Sequence, residues 1–503
     1  MSDLIIKPVD SVHIYIECEE SLARELNEYF TFLVPNYQFT PAYKKRKWDG
    51  QIRLFNLYSR RIYTGLLNYV IKFAVDRGYS YENQVTNEDT ITKENMLDLL
   101  TNLKVSANGE KIVPHDHQVK AIYHALKKNR SLLLSPTGSG KSLIIYYLMR
   151  YYLDNIDVDK KILIIVPTTG LVSQMYNDFK DYSSMDDWDI SKNAHVIFSG
   201  QDKVSDKRII ISTWQSIYKM PMEYFENFSV VFGDECHLFK AKSLTSLMAK
   251  TKNCPYKIGT TGTLDGSQTH KLVIEGLFGP VFNVVKTKEL MEKELLSNLT
   301  IDCITLQYNQ DSIKEIKRAK YMDEIKWLTQ KKERNDFITN LCCKLKGNTL
   351  LLFNYVEQHG IPLHTMIQKA YPNEKVFLIH GGTDTEQRER IRKIVDTESE
   401  AILVASYGTC STGINIRNIN NVVFGSPSKS VVRVLQSIGR GLRKTKTKDK
   451  VKLYDISDDL SHKSYKNHTL RHLDERIKIY TNEEFKFDKT NVRIEGDKHE
   501  QLL

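Results

Sequence analysis

The sequence predicts an α/β protein with two doubly wound parallel-sheet domains in tandem behind a small N-terminal α+β domain. From about residue 111, short apolar runs bounded by turn residues alternate with amphipathic helical segments, a pattern typical of βαβ units. A charged helical stretch, Ser312–Lys346, divides the alternation into two series of similar size. The length of 503 residues allows three or four domains. We expect these boundaries: 1–105, 106–297, 298–460 and a polar tail at 461–503.

Each strand of the two series is an apolar run of three to six residues. In the first series we expect strands at Ser131–Leu134, Lys161–Val166, Arg208–Ser212, Val230–Phe232 and Lys257–Gly259. In the second series we expect strands at Thr349–Asn354, Lys375–Ile379, Ala401–Ala405, Asn421–Phe424 and Val451–Asp455. The polar tail is expected to contain a helix at Ser464–Arg476.

The composition excludes several classes of protein. The hydrophobic fraction of 41% and the charged fraction of 27% are those of a globular chain. No apolar stretch reaches the roughly 18 residues needed to cross a bilayer, and the segment MSDLIIKPVD lacks the order of a signal peptide. The seven cysteines include no C-x-x-C pair, which argues against a disulfide framework and a structural zinc site. We therefore expect a soluble cytoplasmic protein without membrane contact or structural metal.

Basic charge is concentrated in the window Pro41–Lys72, which has eight basic residues, one acidic residue and a net charge of +7. Aromatic residues are interleaved with the cations, as in surfaces that neutralise phosphates and stack on bases. We expect nucleic-acid contacts from Lys44, Lys45, Arg46, Lys47, Trp48, Arg60 and Arg61. The alternative is an ordinary α+β domain whose lysines are solvated.

A phosphate-binding loop is predicted between the first apolar strand and the helix that follows it. The loop residues are Ser135, Pro136, Thr137, Gly138, Ser139, Gly140, Lys141 and Ser142. Its two glycines allow successive backbone N–H groups to point at phosphate oxygens. Lys141 is expected to reach the β- and γ-phosphates, and the Ser142 hydroxyl to coordinate Mg²⁺. The strict pattern has glycine where this chain has Ser135.

Two acids follow the buried strand Val230–Phe232 in the segment DECH, at the edge of an open α/β sheet where ligands bind. We assign Asp234 to the Mg²⁺ shell and Glu235 to the general base that polarises the attacking water. The alternative is a pair of solvated acids at a strand end. A single histidine such as His237 is more often a structural hydrogen-bonding residue than a catalytic group.

The order of seven motifs resembles that of the superfamily 2 helicases and translocases, in particular their DExH DNA-processing branch. The motifs are SPTGSGKS, PTTGLVSQ, ISTWQS, DECH, TGT, ILVASYGTCSTGINI and QSIGRGLR. They extend over about Pro114–Asp455, some two thirds of the chain. The resemblance implies that the two α/β domains are RecA-like.

The resemblance also implies roles for residues of the first α/β domain. Gln118 lies where these enzymes have an adenine-reading glutamine. Thr168, Thr169 and Thr213 match residues that grip the nucleic-acid backbone, although N-capping of helices is the alternative for each. The threonines of the TGT segment, Thr261 and Thr263, would couple hydrolysis to strand movement.

In the second α/β domain, the segment with Ser411, Thr412, Gly413 and Asn415 matches the motif that touches both nucleotide and strand. Gln436, Arg440 and Arg443 recur at spacings of four and three, which places them on one helix face. The resemblance implies that the two arginines neutralise charge developing on the γ-phosphate. An exposed helix with ordinary salt bridges is the alternative.

The leading hypothesis is an ATP- and Mg²⁺-dependent DNA helicase or translocase that remodels branched DNA, including fork reversal and Holliday-junction branch migration. Forked or branched duplex DNA would be its partner, with RNA–DNA hybrids as a second candidate, and it would act as a monomer or a weakly associating chain. The alternatives are an RNA helicase and a DNA-binding module whose ATP site only gates affinity.

Overall fold

The computed structural model describes residues 2–86, 91–198, 200–239, 242–264, 267–371, 375–413, 416, 418–426, 430–442 and 448–494. The chain divides into two compact units, one of residues 1–135 and 139–285, the other of residues 136–138 and 286–503. Each unit contains a seven-stranded parallel sheet, which confirms the predicted tandem RecA-like fold. No helix within the described ranges is long and apolar enough to cross a membrane.

The N-terminal segment has a small α+β fold. Its four-stranded sheet has the strand order β5-β2-β1-β6. Alternate residues of its two longest strands, Leu4, Ile6, Ile14 and Ile16, are buried, as a sheet with one covered face requires. Its elements are β1 (Leu4–Pro8), β2 (His13–Cys18), α1 (Glu20–Tyr29), β3 (Thr31–Leu33), α2 (Pro41–Lys44), β4 (Gln51–Arg53), β5 (Arg61–Tyr63), α3 (Leu67–Arg77) and β6 (Tyr81–Asn83). Three connecting elements follow: α4 (Lys93–Asn102), β7 (Ser106–Ala107) and β8 (Glu110–Lys111).

The first parallel sheet has the strand order β11-β12-β10-β13-β14-β9-β15. Its elements are α5 (Asp116–Lys128), β9 (Arg130–Leu134), α6 (Lys141–Asn155), β10 (Lys161–Val166), α7 (Thr169–Tyr182), α8 (Ile190–Asn193), β11 (Ala194–Ile197), β12 (Ile209–Thr213), α9 (Trp214–Ile217), β13 (Phe228–Gly233), α10 (Lys242–Ala249), β14 (Tyr256–Thr261), α11 (Gln268–Phe278) and β15 (Val281–Asn283). All five predicted strands are present. The sequence analysis missed the two short edge strands, β11 and β15, because they are less apolar than the buried ones.

The second parallel sheet has the strand order β18-β19-β17-β20-β21-β16-β22. Its elements are α12 (Thr287–Glu292), β16 (Asn298–Gln307), α13 (Gln310–Glu315), α14 (Tyr321–Gln330), α15 (Lys332–Lys344), β17 (Thr349–Phe353), α16 (Ile361–Ala370), β18 (Val376–Ile379), α17 (Thr385–Thr397), β19 (Ile402–Ser406), α18 (Tyr407–Gly413), β20 (Asn421–Phe424), α19 (Val431–Gly441), β21 (Lys450–Asp459), α20 (His468–Asn482) and β22 (Lys486–Arg493). The five predicted strands are again present, and the charged stretch Ser312–Lys346 consists of three helices.

Residues 461–494 of the predicted polar tail at 461–503 are not separate from the second sheet. Their helix α20 packs on β21, and their strand β22 pairs in parallel with β16 from Thr300 to Gln307. The sequence KFDKTNVR of β22 is polar, as suits a largely exposed edge strand. This polar composition is why the segment was predicted to be a tail outside the sheet. The predicted boundary at residue 460 therefore lies inside this fold.

The N-terminal α+β segment and the first parallel sheet share one hydrophobic core. A Cβ atom added to Gly65 would lie 2.0 Å from the Glu275 carbonyl oxygen, so the two backbones meet at that point. The Tyr69 hydroxyl donates to the buried Glu275 carboxylate at 2.7 Å, and the Ser11 carbonyl accepts from Lys257 Nζ at 3.1 Å. Burial lowers the pKa of Lys257 to about 7. The N-terminal sheet is thus built into the first unit.

Two buried ion pairs anchor β21 in the second unit. Arg476 of α20 contacts Asp455 at 2.8 Å, and Arg334 of α15 contacts Asp458 at 2.8 Å, with all four side chains at most 1% exposed. Asp455 also accepts from the Tyr480 hydroxyl at 2.8 Å. Buried charges of this kind depend on their partners, because removing one partner leaves the other uncompensated.

Replacing Arg476 with alanine should destabilise the second unit by about 3–5 kcal/mol, since the Asp455 carboxylate would remain buried without its cation. The measurement is urea unfolding followed by the fluorescence of Trp327, the only tryptophan of that unit. Arg471→Ala on the exposed face of the same helix is the control, with an expected change within about 0.5 kcal/mol. Equal effects of the two substitutions would contradict the assignment of α20 to this core.

Candidate nucleotide and nucleic-acid sites

The predicted phosphate loop lies between β9 and α6, at the carboxyl edge of the first parallel sheet. Gly138 and Gly140 have φ of +86° and +84°, a conformation that only glycine adopts without strain. The Ser135 hydroxyl forms a 2.5 Å hydrogen bond with the Ser139 hydroxyl, and both side chains are buried. Serine therefore fits the first loop position, where the strict pattern has glycine, because its hydroxyl is satisfied within the loop.

Helix α5 supports the loop through two buried side chains. Gln118 accepts from the His115 backbone N–H at 2.8 Å and donates to the Ser139 carbonyl at 3.0 Å. His117 Nε2 lies 3.0 Å from the same carbonyl. The amide of Gln118 thus links the start of α5 to the phosphate loop, and its adenine-reading role remains a prediction.

The structure brings Lys141 and Asp234 to the same edge of the sheet. Lys141 Nζ donates to the Ser135 carbonyl at 3.3 Å, so its amine lies against the phosphate loop. Asp234 accepts from the Thr260 hydroxyl at 2.7 Å. Burial and the neighbouring Glu235 charge raise the pKa of Asp234, while Lys141 lowers it. Sequence reasoning missed Thr260, although it directly precedes the TGT segment.

Glu235 and the TGT segment are connected through His237. Glu235 has φ of +53°, a left-handed conformation that is strained for a glutamate, and its Oε2 lies 3.3 Å from His237 Nδ1. The same Nδ1 lies 3.1 Å from the Thr261 hydroxyl, which itself donates to the Thr263 carbonyl at 3.0 Å. Because that hydroxyl proton is already engaged, the Thr261 oxygen accepts from His237. The histidine therefore bridges the acid and the predicted coupling segment.

The residues present fit a hard divalent cation such as Mg²⁺. Such a cation prefers oxygen ligands and usually takes only one or two protein carboxylates beside substrate phosphates. The Asp234 carboxylate is 9% exposed and lies next to a second acid, so a cation would relieve its unfavourable burial. The Ser142 hydroxyl, at the start of α6, supplies a second oxygen.

The predicted nucleic-acid threonines of the first unit lie at the starts of α7 and α9. The Thr168 hydroxyl accepts from the Leu171 N–H at 3.4 Å at the start of α7, while Thr169 is exposed there. Thr213 is buried, and its hydroxyl bonds to that of Ser216 at 2.9 Å. The capping alternative is confirmed for Thr168, and a hydroxyl that accepts from a backbone amide can still donate to a phosphate.

The predicted site residues of the second unit lie on α18 and α19 or beyond the described ranges. Ser411, Thr412 and Gly413 end α18, and their side chains, like that of Arg440 on α19, lie outside the description. Asn415 and Arg443 lie outside the described residues altogether. Gln436 is buried on α19. Their roles remain predictions.

The cations of the N-terminal sheet lie on an exposed surface. Lys44, Lys45, Arg46 and Lys47 are all exposed at and after the end of α2, and we refer to these four residues as the basic surface. An open groove of about 760 Å³ is lined by Lys44, Arg46 and Lys47 of this surface, together with Gln38, Tyr43, Trp48 and Asp49. The indole of Trp48 donates to the Gln51 carbonyl at 2.8 Å, which leaves its ring at the groove.

Arg60 and Arg61, the other two arginines of the predicted contact set, differ in exposure. Arg60 is engaged within the fold, because its guanidinium donates to the Cys18 carbonyl at 3.3 Å and pairs with Glu20 at 2.5 Å. Arg61 is exposed on β5. The structure thus favours Arg61 over Arg60 as a phosphate contact.

Comparisons with known proteins found three matching families. Residues 3–83 match "DNA helicase UvsW, N-terminal", residues 111–266 match "Type III restriction enzyme, res subunit", and residues 332–445 match "Helicase conserved C-terminal domain". The chain is 34% identical over 500 residues to the ATP-dependent DNA helicase uvsW of Enterobacteria phage T4, covering 96% of this chain and 98% of the relative. It is 24% identical over 448 residues to the DNA 3'-5' translocase XPB2 of Sulfurisphaera tokodaii, covering 83% and 93%.

Two solved structures share the fold. The crystal structure of T4 UvsW matches with a TM-score of 0.52 and 32% identity over 98% of this chain and 100% of that one. A type ISP restriction-modification enzyme, LlaBIII, bound to DNA matches with a TM-score of 0.56 and 14% identity over 86% of this chain and 36% of that one. At that identity, the second match supports the fold alone.

Replacing Gly140 with alanine should weaken nucleotide binding at least tenfold. The added Cβ would lie 2.2 Å from Gln118 Nε2 at a φ that disfavours alanine, so the phosphate loop must move. The measurement is a titration with a fluorescent ADP analogue. Gly381→Ala is the control, because no atom lies within 4 Å of its added Cβ. Wild-type affinity of the Gly140 variant would contradict this account of the loop.

Proposed function

The chain belongs to the UvsW family of ATP-dependent DNA helicases within superfamily 2, and we propose that it uses ATP to remodel branched DNA by reversing forks and migrating Holliday junctions. This proposal rests on the basic surface, which lies at and after the end of α2 in an N-terminal segment that shares its core with the first parallel sheet. A duplex arm bound to that surface would stay fixed relative to the phosphate loop. Meanwhile the two RecA-like domains, which form the ATP-driven motor, would translocate along one strand. We further propose that it works in the cytoplasm as a monomer or a weakly associating chain.

ATP hydrolysis is assigned to the residues at the carboxyl edge of the first sheet. Lys141 neutralises part of the phosphate charge. Ser142 and Asp234 would hold Mg²⁺, which would neutralise more of that charge when bound. Glu235 orients the attacking water and accepts its proton. His237 connects this acid to Thr261, so hydrolysis can change the TGT segment.

The second unit is proposed to complete the reaction. Gln436, Arg440 and Arg443 would stabilise the charge that develops on the γ-phosphate, as basic residues do in phosphoryl transfer. Ser411, Thr412, Gly413 and Asn415 would contact nucleotide and strand, as the family motif implies.

Strand contact in the first unit is assigned to Thr168, Thr169 and Thr213. Their backbone and hydroxyl groups at helix N-termini suit phosphate oxygens without reading sequence. The four cations of the basic surface would neutralise phosphates of a duplex arm, and Tyr43 and Trp48 would stack on exposed bases. This division gives one contact for the translocated strand and another for the branch.

Forked DNA should stimulate ATP hydrolysis more than single-stranded DNA, and RNA should stimulate it least. Lys141→Ala should abolish the stimulated activity, because the phosphates lose their cation. The measurement is steady-state phosphate release with each nucleic acid at saturation, and an RNA–DNA hybrid belongs in the same panel. Stronger stimulation by RNA would contradict the proposal and favour an RNA helicase, and near-normal turnover by Lys141→Ala would contradict the mechanism.

Neutralising the basic surface should weaken binding to forked DNA and flatten its salt dependence. Deleting the N-terminal sheet would expose a shared core, so the sharper variant is Lys44→Gln, Lys45→Gln and Lys47→Gln together. Loss of three phosphate contacts should reduce the slope of log K against log salt by about 2–3. Lys314→Gln, Lys317→Gln and Lys320→Gln, also exposed, form a control with the same change in charge. Equal salt slopes in both triple variants would show that the basic surface is merely solvated.

A further inference from the structure

The hydroxyl of Ser142 is hydrogen-bonded to a tyrosine that no motif includes. Ser142 Oγ and the Tyr182 hydroxyl oxygen are 2.9 Å apart. Tyr182 is the last residue of α7, the helix whose N-terminus contains Thr168 and Thr169. One helix therefore has the proposed strand contact at its start and the proposed metal ligand beside its end.

The ring of Tyr182 packs against Tyr146 of α6, which belongs to a small aromatic cluster. It packs edge-on against Tyr146, with ring centroids 5.5 Å apart, and Tyr146 also contacts Trp188 at 6.2 Å. Arg150 closes the cluster, because it donates to the Tyr146 hydroxyl at 2.8 Å and pairs with Asp186 at 2.7 Å. The phenol is thus positioned by its ring contact with Tyr146 as well as by its bond to Ser142.

Helix α7 is packed along one face and fixed at its end. Val172, Met175 and Phe179 are buried at helical spacing, so the 14-residue helix, about 21 Å long, lies firmly on the sheet. At its C-terminal end, the Asp181 carbonyl accepts from the Ser106 hydroxyl at 2.8 Å. A displacement at the start of such a helix is transmitted to its end.

We propose that Tyr182 is a positioning residue of the ATPase, which holds the Ser142 hydroxyl from the end of α7 and so links strand contact to the metal ligand. The inference rests on the proposed function of Ser142 and of Thr168 and Thr169. A serine hydroxyl has one proton and two lone pairs. One hydrogen bond to Tyr182 therefore orients it and leaves a lone pair for a cation.

The test is Tyr182→Phe in the full chain, which keeps the ring and removes the hydroxyl. The first measurement is the affinity for a fluorescent ADP analogue with Mg²⁺ and with EDTA. The ratio of the two affinities should fall about two- to tenfold, the range expected for one hydrogen bond. Stimulation of ATP hydrolysis by DNA should fall as well, while DNA affinity without nucleotide stays unchanged.

Tyr152→Phe is the matched control. Tyr152 lies on α6 and is buried, and among the described residues its hydroxyl has no hydrogen-bond partner. The affinity ratio and the stimulation should therefore keep their wild-type values in this variant. Retention of either value by Tyr182→Phe would overturn the inference.

A double-mutant cycle with Ser142→Ala separates positioning from a general loss of structure. If Tyr182 acts through Ser142, then Tyr182→Phe should not change the affinity ratio further in the Ser142→Ala background. Independent effects of the two substitutions would overturn the inference. Absence of DNA-stimulated hydrolysis in the wild-type chain would instead contradict the proposed function, and the affinity ratio would still decide whether Tyr182 positions Ser142.

Discussion

Burial of the parallel strands on both faces is the constraint on which the rest of the structure depends. The central strands of the first sheet are almost wholly apolar, with Ile162–Val166 and Val230–Phe232 at most 1% exposed. Polar side chains can therefore gather only where these strands end, and all strands of a parallel sheet end at the same edge. The phosphate loop, Asp234 and Thr261 meet at that edge because each directly follows or ends a buried strand. The hydrogen bonds from Thr260 to Asp234 and from His237 to Thr261 then join neighbouring strand ends into one site.

A second constraint explains why the N-terminal sheet is part of the motor unit. Close approach at Gly65 lets its backbone meet that of Glu275, and Gly276 leaves room for the Tyr63 side chain. The Tyr69–Glu275 bond satisfies a carboxylate that this contact buries. Helix α11, on which the sheet packs, follows the TGT segment in the chain. The basic surface is consequently fixed to the element next to the coupling segment, whereas composition alone suggested a separate module.

The parts of the fold that follow from local chemistry could be predicted from the sequence. All ten predicted strands exist, because a short apolar run between turn residues is typical of a buried strand. The glycines of the phosphate loop likewise indicated its conformation. Local sequence did not predict β16, β22 or the docking of α20. The position of each depends on contacts with β21 or β16, which lie elsewhere in the chain. His117, Thr260 and Tyr182 were missed for the same reason: each acts on a motif residue from another element. Arg60 was predicted as a nucleic-acid contact from its charge, yet its guanidinium pairs within the N-terminal sheet.

The proposed remodelling of branched DNA requires both the basic surface and the ATP-driven motor. A real-time fork-regression assay can follow it, in which two fluorophores on the daughter arms of a synthetic fork report their annealing to each other. Annealing by the full chain should require hydrolysable ATP and should slow when the basic surface is neutralised. Unwinding of the fork into single strands without daughter-arm annealing, or annealing at the same rate without ATP, would contradict the proposed remodelling.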